Sequence, residues 1–171
     1  MSSNFINIAL IGPMGAGKSS IGRDLAKEIG WKFYDSDQII EERAGVDLLW
    51  IYDLEGEDGF RAREKKVIAE LAQKKNIVLA TGGSTVAIAE NCELIAANSF
   101  VIYLHTSLGD QLVRTGYSKK RPLSAEIEER RDILKKLRQE YEPLYEKLAD
   151  VVYNTYNKST RKVVADLAGI I

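Results

Sequence analysis

Phe5-Ile6-Asn7-Ile8-Ala9-Leu10-Ile11-Gly12-Pro13-Met14-Gly15-Ala16-Gly17-Lys18-Ser19-Ser20 runs from an apolar stretch through a glycine-rich loop into a helix-forming segment. Phe5 to Ile11 is short and apolar enough for a buried strand, and Ile21, Leu25 and Ile29 recur at helical spacing before Gly30 stops the pattern. Between them, Gly12 to Ser19 satisfies G-x-x-x-x-G-K-[ST]. The glycines let successive backbone N–H groups converge on phosphate oxygens, and the helix N-terminus adds positive potential. Lys18 is then the side chain that reaches the β- and γ-phosphates, and the Ser19 hydroxyl is a ligand for Mg²⁺. The bland alternative is an ordinary glycine-rich turn. A strand before the loop and an amphipathic helix after it weigh heavily against that.

Outward from this loop the pattern alternates. Lys32 to Tyr34, Ile77 to Ala80, Phe100 to Leu104 and Val151 to Tyr153 read as further short strands. Helical segments are expected at 38–44, 59–75, 88–97, 108–114 and 127–148, with a last helix opened by Ser159 and ending near Gly169. Pro143 predicts a kink or break near Glu142 in the long charged helix. Strands alternating with helices imply βαβ units and a mainly parallel sheet covered on both faces. Such sheets bind ligands beyond the carboxyl ends of their strands.

The composition agrees with one folded domain. The chain has 171 residues, 45% hydrophobic and 29% charged, and its 24 Lys+Arg nearly cancel 25 Asp+Glu. Disorder, collagen-like repeats and low complexity are excluded on these values. Neither a basic excess nor a dense basic stripe points to nucleic acid, and no apolar run approaches the roughly 18 residues of a membrane span. Cys92 is the single cysteine, so no internal disulfide or cysteine metal cluster is available. The N-terminus lacks a signal-peptide pattern, and a cytoplasmic protein is expected.

Chemistry-bearing residues follow the strands. Asp35 and Asp37 lie after the second strand, and residues two apart on an extended segment face the same way. One carboxylate can serve a metal shell and the other an acceptor hydroxyl; helix N-capping is the competing explanation. Thr81-Gly82-Gly83 follows the third strand and suits close approach of backbone to a ligand. Arg114, Lys119, Lys120 and Arg121 form a basic loop able to close over a triphosphate, where Arg121, beside the stiff Pro122, would stabilise transition-state charge; a solvated surface loop is the competing explanation. His105 has no nearby Cys or second His, and Cys92 has no basic surroundings to activate its thiol. Both read as structural.

Taken together these segments resemble the shikimate kinases. The matching stretches are Gly12–Ser20, Phe33-Tyr34-Asp35-Ser36-Asp37, Glu55-Gly56-Glu57 with Gly59-Phe60-Arg61, Leu79-Ala80-Thr81-Gly82-Gly83, Lys120-Arg121-Pro122-Leu123, and Pro143-Leu144-Tyr145-Glu146 with Ala149-Asp150. They span essentially the whole chain in the family's order. The resemblance implies a three-layer α/β P-loop kinase fold: a five-stranded parallel sheet in a single domain over 1–171, with a mobile lid at about 114–124 and a helical substrate-binding region. It implies transfer of the ATP γ-phosphate to the 3-hydroxyl of shikimate, with Mg²⁺, by a monomer of the aromatic amino-acid pathway. Gly15, Ala16, Gly17, Lys18, Ser19 and Ser20 would hold the ATP phosphates, Ser19 the metal directly, and Asp35 the metal through water. Arg114 and the Asn157–Lys158 region would lie beside the adenine, and Arg121 would reach ATP from the lid. Asp37 would hold or deprotonate the shikimate hydroxyl, Arg61 would pair with its carboxylate, and Gly83 would contact it through the backbone.

The chain departs from the family twice. Ser84 stands where a third glycine is usual, and Tyr141 stands where an arginine usually joins Arg61 on the carboxylate. Arg138, one helical turn before Tyr141, is the expected substitute, with Tyr141 able to donate one hydrogen bond. Two other readings stay open on the sequence: a P-loop kinase for another polyol acid such as gluconate, and a nucleotide-binding regulator with a weakened active site. Arg61 counts against the first. The presence of Lys18, Asp37 and Arg121 counts against the second.

Overall fold

The computed structural model describes residues 6–115 and 125–171. Five parallel strands form one sheet in the order β2-β3-β1-β4-β5: β1 Asn7–Ile11, β2 Lys32–Asp35, β3 Ile77–Ala80, β4 Ser99–His105 and β5 Val151–Asn154. The register pairs Ile8 with Val78 on one side and with Phe100 on the other. From β1 the chain crosses to β2 and β3 on one side, then to β4 and β5 on the other. The strand order therefore reverses at β1, whose carboxyl end opens into the crevice where ligands bind in such sheets.

Period-two alternation along β1, β3 and β4 divides the core in two. Ile8, Leu10, Val78, Ile102 and Leu104 pack with Ile21 and Leu25 of α1 (Lys18–Ile29) and with Val163 and Leu167 of the C-terminal helix, Thr160–Ile170. Ala9, Ile11, Leu79, Val101 and Tyr103 face the other way. They pack against Val67 and Ile68 of α3 (Leu48–Ala72), Ile95 of α4 (Ala89–Asn98) and Tyr145 of α6 (Ala125–Leu148). α2 (Ser36–Ala44) and α5 (Leu108–Arg114) are the shorter helices; with the C-terminal helix as α7, they complete a three-layer α/β arrangement. Among the described residues no helix is long and apolar enough to cross a membrane.

Three differences from the sequence expectations stand out. The helix expected from Gly59 begins at Leu48, and Gly56 interrupts it with φ 70° and ψ −174°. The sequence concealed the first part because Leu49, Trp50 and Leu54 are exposed, so its apolar residues do not form a single stripe. Second, α6 runs through Pro143 without the expected break. Proline leaves the carbonyl four residues earlier without its helical donor, and Gln139 is exposed, so water can take that place. Third, helix α2 begins at Ser36, with Asp35 as its N-cap. The lid loop, including Lys119, Lys120 and Arg121, lies outside the described residues.

Candidate active site

The loop after β1 wraps the N-terminus of α1. Gly17 caps that helix in a left-handed conformation, and Ala16 N–H donates to the Pro13 carbonyl at 3.1 Å. Gln111 Nε2 braces the loop from α5 by donating to the Met14 carbonyl at 2.9 Å, and Arg114 Nη1 reaches the Gly15 carbonyl at 3.3 Å. Lys18 folds back into the loop, its Nζ donating to the carbonyls of Gly12 (2.7 Å) and Pro13 (2.9 Å). Burial pulls its ammonium down to about 8, against the opposing pull of Asp37 and Asp35. Ala16 is fully buried behind the loop.

The two aspartates divide their work. Asp35 accepts the Gln38 N–H at 3.1 Å through one oxygen, capping α2, while its other oxygen accepts from the Ser19 hydroxyl. The capping bond and the contact with the Ser19 hydroxyl therefore coexist in one side chain. Asp37, in the first turn of α2, keeps its Oδ1 buried without a hydrogen-bond partner. Burial and the charges of Asp35 and Glu64 push its carboxyl up to about 6, only partly countered by Lys18. Gly82 lies directly against it: a Cβ there would sit 2.6 Å from Asp37 Oδ1. The bare backbone after β3 thus makes room for the carboxylate.

Opposite the phosphate loop, α3 supplies Arg61. Its Nη1 donates to Glu64 at 2.7 Å and to the Ser84 carbonyl at 3.1 Å. Tyr141 of α6 faces this guanidinium; burial and the charge of Glu140 push its phenol up, partly countered by Arg61. Arg138 donates to the Thr106 carbonyl beyond β4, and Tyr145 donates to the Gly83 carbonyl.

These walls enclose one cleft of about 880 Å³. It brings together Gly15, Gly17, Lys18, Ser19, Ser20, Asp35, Asp37, Arg61, Gly83, Arg114, Arg138 and Tyr141, all expected from sequence. Lys158 is not on its wall; that ammonium sits 4.4 Å over the Tyr153 ring. Arg121 lies outside the described residues. Sequence reasoning missed Glu64, Gln111 and Tyr145. For Glu64 a signal existed, an acid three residues after Arg61 on a helical stretch; Gln111 and Tyr145 meet the site only through packing.

A cleft with hydrogen-bond donors for phosphate at one end, a buried carboxylate at its centre and a guanidinium at the other end suits phosphoryl transfer to an anionic alcohol. The family model for shikimate kinase matches residues 14–170. A shikimate kinase of Legionella pneumophila (strain Corby) is 58% identical over 160 residues, covering 94% of this chain and 90% of its own. Shikimate kinase 1 of Escherichia fergusonii is 53% identical over 160 residues, covering 94% and 92%. Among solved structures, the shikimate kinase of Acinetobacter baumannii in complex with shikimate superimposes with a TM-score of 0.88 at 38% identity, covering 98% of this chain and 93% of that one. Fold, cleft and similarity over nearly the whole length agree, and the chain belongs to the shikimate kinase family.

Proposed function

We propose that this cleft transfers the γ-phosphoryl group of ATP to the 3-hydroxyl of shikimate, giving shikimate 3-phosphate and ADP. The observation that carries the assignment is Asp37: a buried carboxylate oxygen without a partner, between the phosphate loop and Arg61. The backbone from Gly15 to Ser20 cradles the triphosphate, and Lys18 leaves the Gly12 and Pro13 carbonyls to meet the transferring group. Arg114 sits beside the loop to contact the nucleotide, and Lys158 is assigned to the adenine end. Arg121 is assigned to the phosphates on its place in the basic loop and on the resemblance of its Lys-Arg-Pro-Leu segment.

Asp37 orients the acceptor hydroxyl and takes its proton late, because the transition state is largely dissociative. Arg61 pairs with the shikimate carboxylate, Gly83 lines the acceptor's place, and Arg138 with Tyr141 closes it from α6. Mg²⁺ fits the donor set. The Ser19 hydroxyl and an Asp35 oxygen are in contact at the cleft wall, two hard oxygen donors of the kind this ion accepts while keeping several waters. Ser19 would hold it directly and Asp35 through water, and the ion would neutralise charge on the β- and γ-phosphates. The reading assigns the protein to aromatic amino-acid biosynthesis in the cytoplasm, as a monomer.

Coupled measurement of ADP release decides it. Release with shikimate well above that with gluconate or with no acceptor is the expected result. Preference for gluconate would move the chain to another acceptor. ATP binding without acceptor-dependent release would make it a regulator.

A further inference from the structure

Glu64 lies one turn beyond Arg61 on α3 and its side chain is fully buried. Three side chains converge on its carboxylate. Oε1 accepts from Arg61 Nη1 at 2.7 Å and from Asn91 Nδ2 at 3.3 Å. Oε2 accepts from the Thr85 hydroxyl at 3.0 Å. Thr85 belongs to the 3-10 turn Thr85–Ala87 and Asn91 to α4, and both are themselves fully buried. Asn91 Nδ2 also donates to the Thr85 carbonyl at 3.3 Å, tying the turn to the helix.

A carboxylate withdrawn from water is costly unless each oxygen finds a donor. Arg61 engages one oxygen only, so the other depends on Thr85. The same Arg61 nitrogen also donates to the Ser84 carbonyl, the residue before Thr85. One edge of the guanidinium is thus held by Glu64 and by the turn that carries Thr85, while the side chain still lines the cleft. Arg61 is only 11% exposed, so little solvent remains to compensate for a misplaced partner.

We infer that Thr85 and Asn91 are positioning residues for acceptor recognition: they clamp the Glu64 carboxylate so that Arg61 holds its guanidinium in a fixed orientation toward the acceptor's carboxylate. The inference rests on the reading of Arg61 as the carboxylate partner. Without the Thr85 hydroxyl, Oε2 has no hydrogen-bond donor among the described residues; the carboxylate turns or draws in water, and Arg61 loses its fixed orientation. Planar pairing of guanidinium with carboxylate depends on that orientation, and small displacements of a substrate clamp are expensive. The phosphate loop sits on other elements and keeps its own contacts.

The test is steady-state kinetics on Thr85→Val, Asn91→Leu and Thr85→Ser, with shikimate and with its uncharged methyl ester as acceptors. Thr85→Val and Asn91→Leu should each raise KM for shikimate by about three- to tenfold, since each loses one buried hydrogen bond to the Glu64 carboxylate. KM for ATP should stay within about twofold, and Thr85→Ser should restore the wild-type value. Turnover of the ester should be unaffected by either change, and in an Arg61→Ala background Thr85→Val should add nothing further. A merely structural hydroxyl would raise KM for ester and acid alike, or lower stability with no change in either, and each result overturns the clamp. Should one variant fail to fold, the other decides. If Arg61→Ala leaves KM for shikimate unchanged, the carboxylate reading itself fails. If Arg61→Ala raises it and neither clamp variant does, the clamp alone fails.

Discussion

Asp37 is a carboxylate that the fold makes reluctant to ionise. Burial is the main cause and the neighbouring charges of Asp35 and Glu64 add to it, so its pKa stands at about 6. Lys18 is displaced in the complementary sense, down to about 8, again chiefly by burial. A carboxylate displaced toward neutrality suits the role of base proposed for it better than one at an ordinary carboxylate value. Its sign for stability follows from linkage. The raised value favours the native state fully below the unfolded pKa near 3.8, and that advantage is lost as pH rises through about 6. Asp37→Asn should therefore gain roughly 3 kcal/mol of stability at pH 8, where the buried charge is removed, and almost nothing at pH 4. Shikimate phosphorylation should fall by orders of magnitude while nucleotide binding persists. Chemical denaturation at the two pH values, with ATP titration, checks this. An equal gain at both would mean that Asp37 is not buried as a charge. Activity in the wild type should fall as pH drops through about 6, or somewhat higher with ATP bound, since its phosphates add negative charge.

At the scale of elements, Gly56 decides how α3 delivers Arg61. Its φ of 70° with ψ of −174° is a region essentially restricted to glycine. A Cβ at this position would meet nothing within 4 Å, so Gly56→Ala acts through backbone strain alone. The cost should be about 1–3 kcal/mol, a fall in Tm of roughly 3–10 °C for a domain of this size. Because Arg61 begins the next turn and a half, KM for shikimate should rise as well. An unchanged Tm in thermal denaturation would show that the chain does not adopt this conformation there. Gly56 also marks where sequence reasoning ran out. The strands β1 and β3 and helix α1 were legible because each carries its apolar residues in one run or on one stripe. Residues 48–58 were not, since Leu49, Trp50 and Leu54 remain exposed and the backbone changes direction within the segment. The site divides along the same line. The glycine-lysine-serine loop, Asp37 and Arg61 are fixed by local motifs. The partners that orient Arg61 come from a turn and from α4, more than twenty residues later, and become visible only when α3 packs on α4.

Over the whole molecule the net charge is only −1, so the field that draws in an anionic acceptor must be local to the cleft. Lys18, Arg61, Arg114 and Arg138 line it against Asp35, Asp37 and Glu57. These cations are not equivalent. Arg61 lies 2.7 Å from Glu64 and 3.7 Å from Glu57, so its charge is already offset within the protein. Arg138 is held by the Thr106 carbonyl and pairs with no carboxylate among the described residues. Tyr141 supplies a hydroxyl beside Arg61 but no charge. An acceptor carboxylate that bridges α3 and α6 therefore draws its uncompensated attraction from Arg138. Losing one charge-assisted hydrogen bond costs about 1.5–3 kcal/mol, so Arg138→Ala should raise KM for shikimate roughly ten- to a hundredfold and leave KM for ATP nearly unchanged. The same loss should appear in the stability of the whole fold. Ligand at about a hundred times its Kd stabilises the native state by about 2.7 kcal/mol, or roughly 5–10 °C in Tm here. Shikimate at a fixed concentration should lose most of that shift in Arg138→Ala, while the shift produced by ATP remains. Tyr141→Arg places a guanidinium on the same wall, and it should lower KM for shikimate more in the Arg138→Ala background than in the wild type. If Arg138→Ala changes neither KM nor the shikimate-induced shift, Arg61 with the Tyr141 hydroxyl holds the carboxylate unaided, and the charge of Arg138 serves only its contact with Thr106.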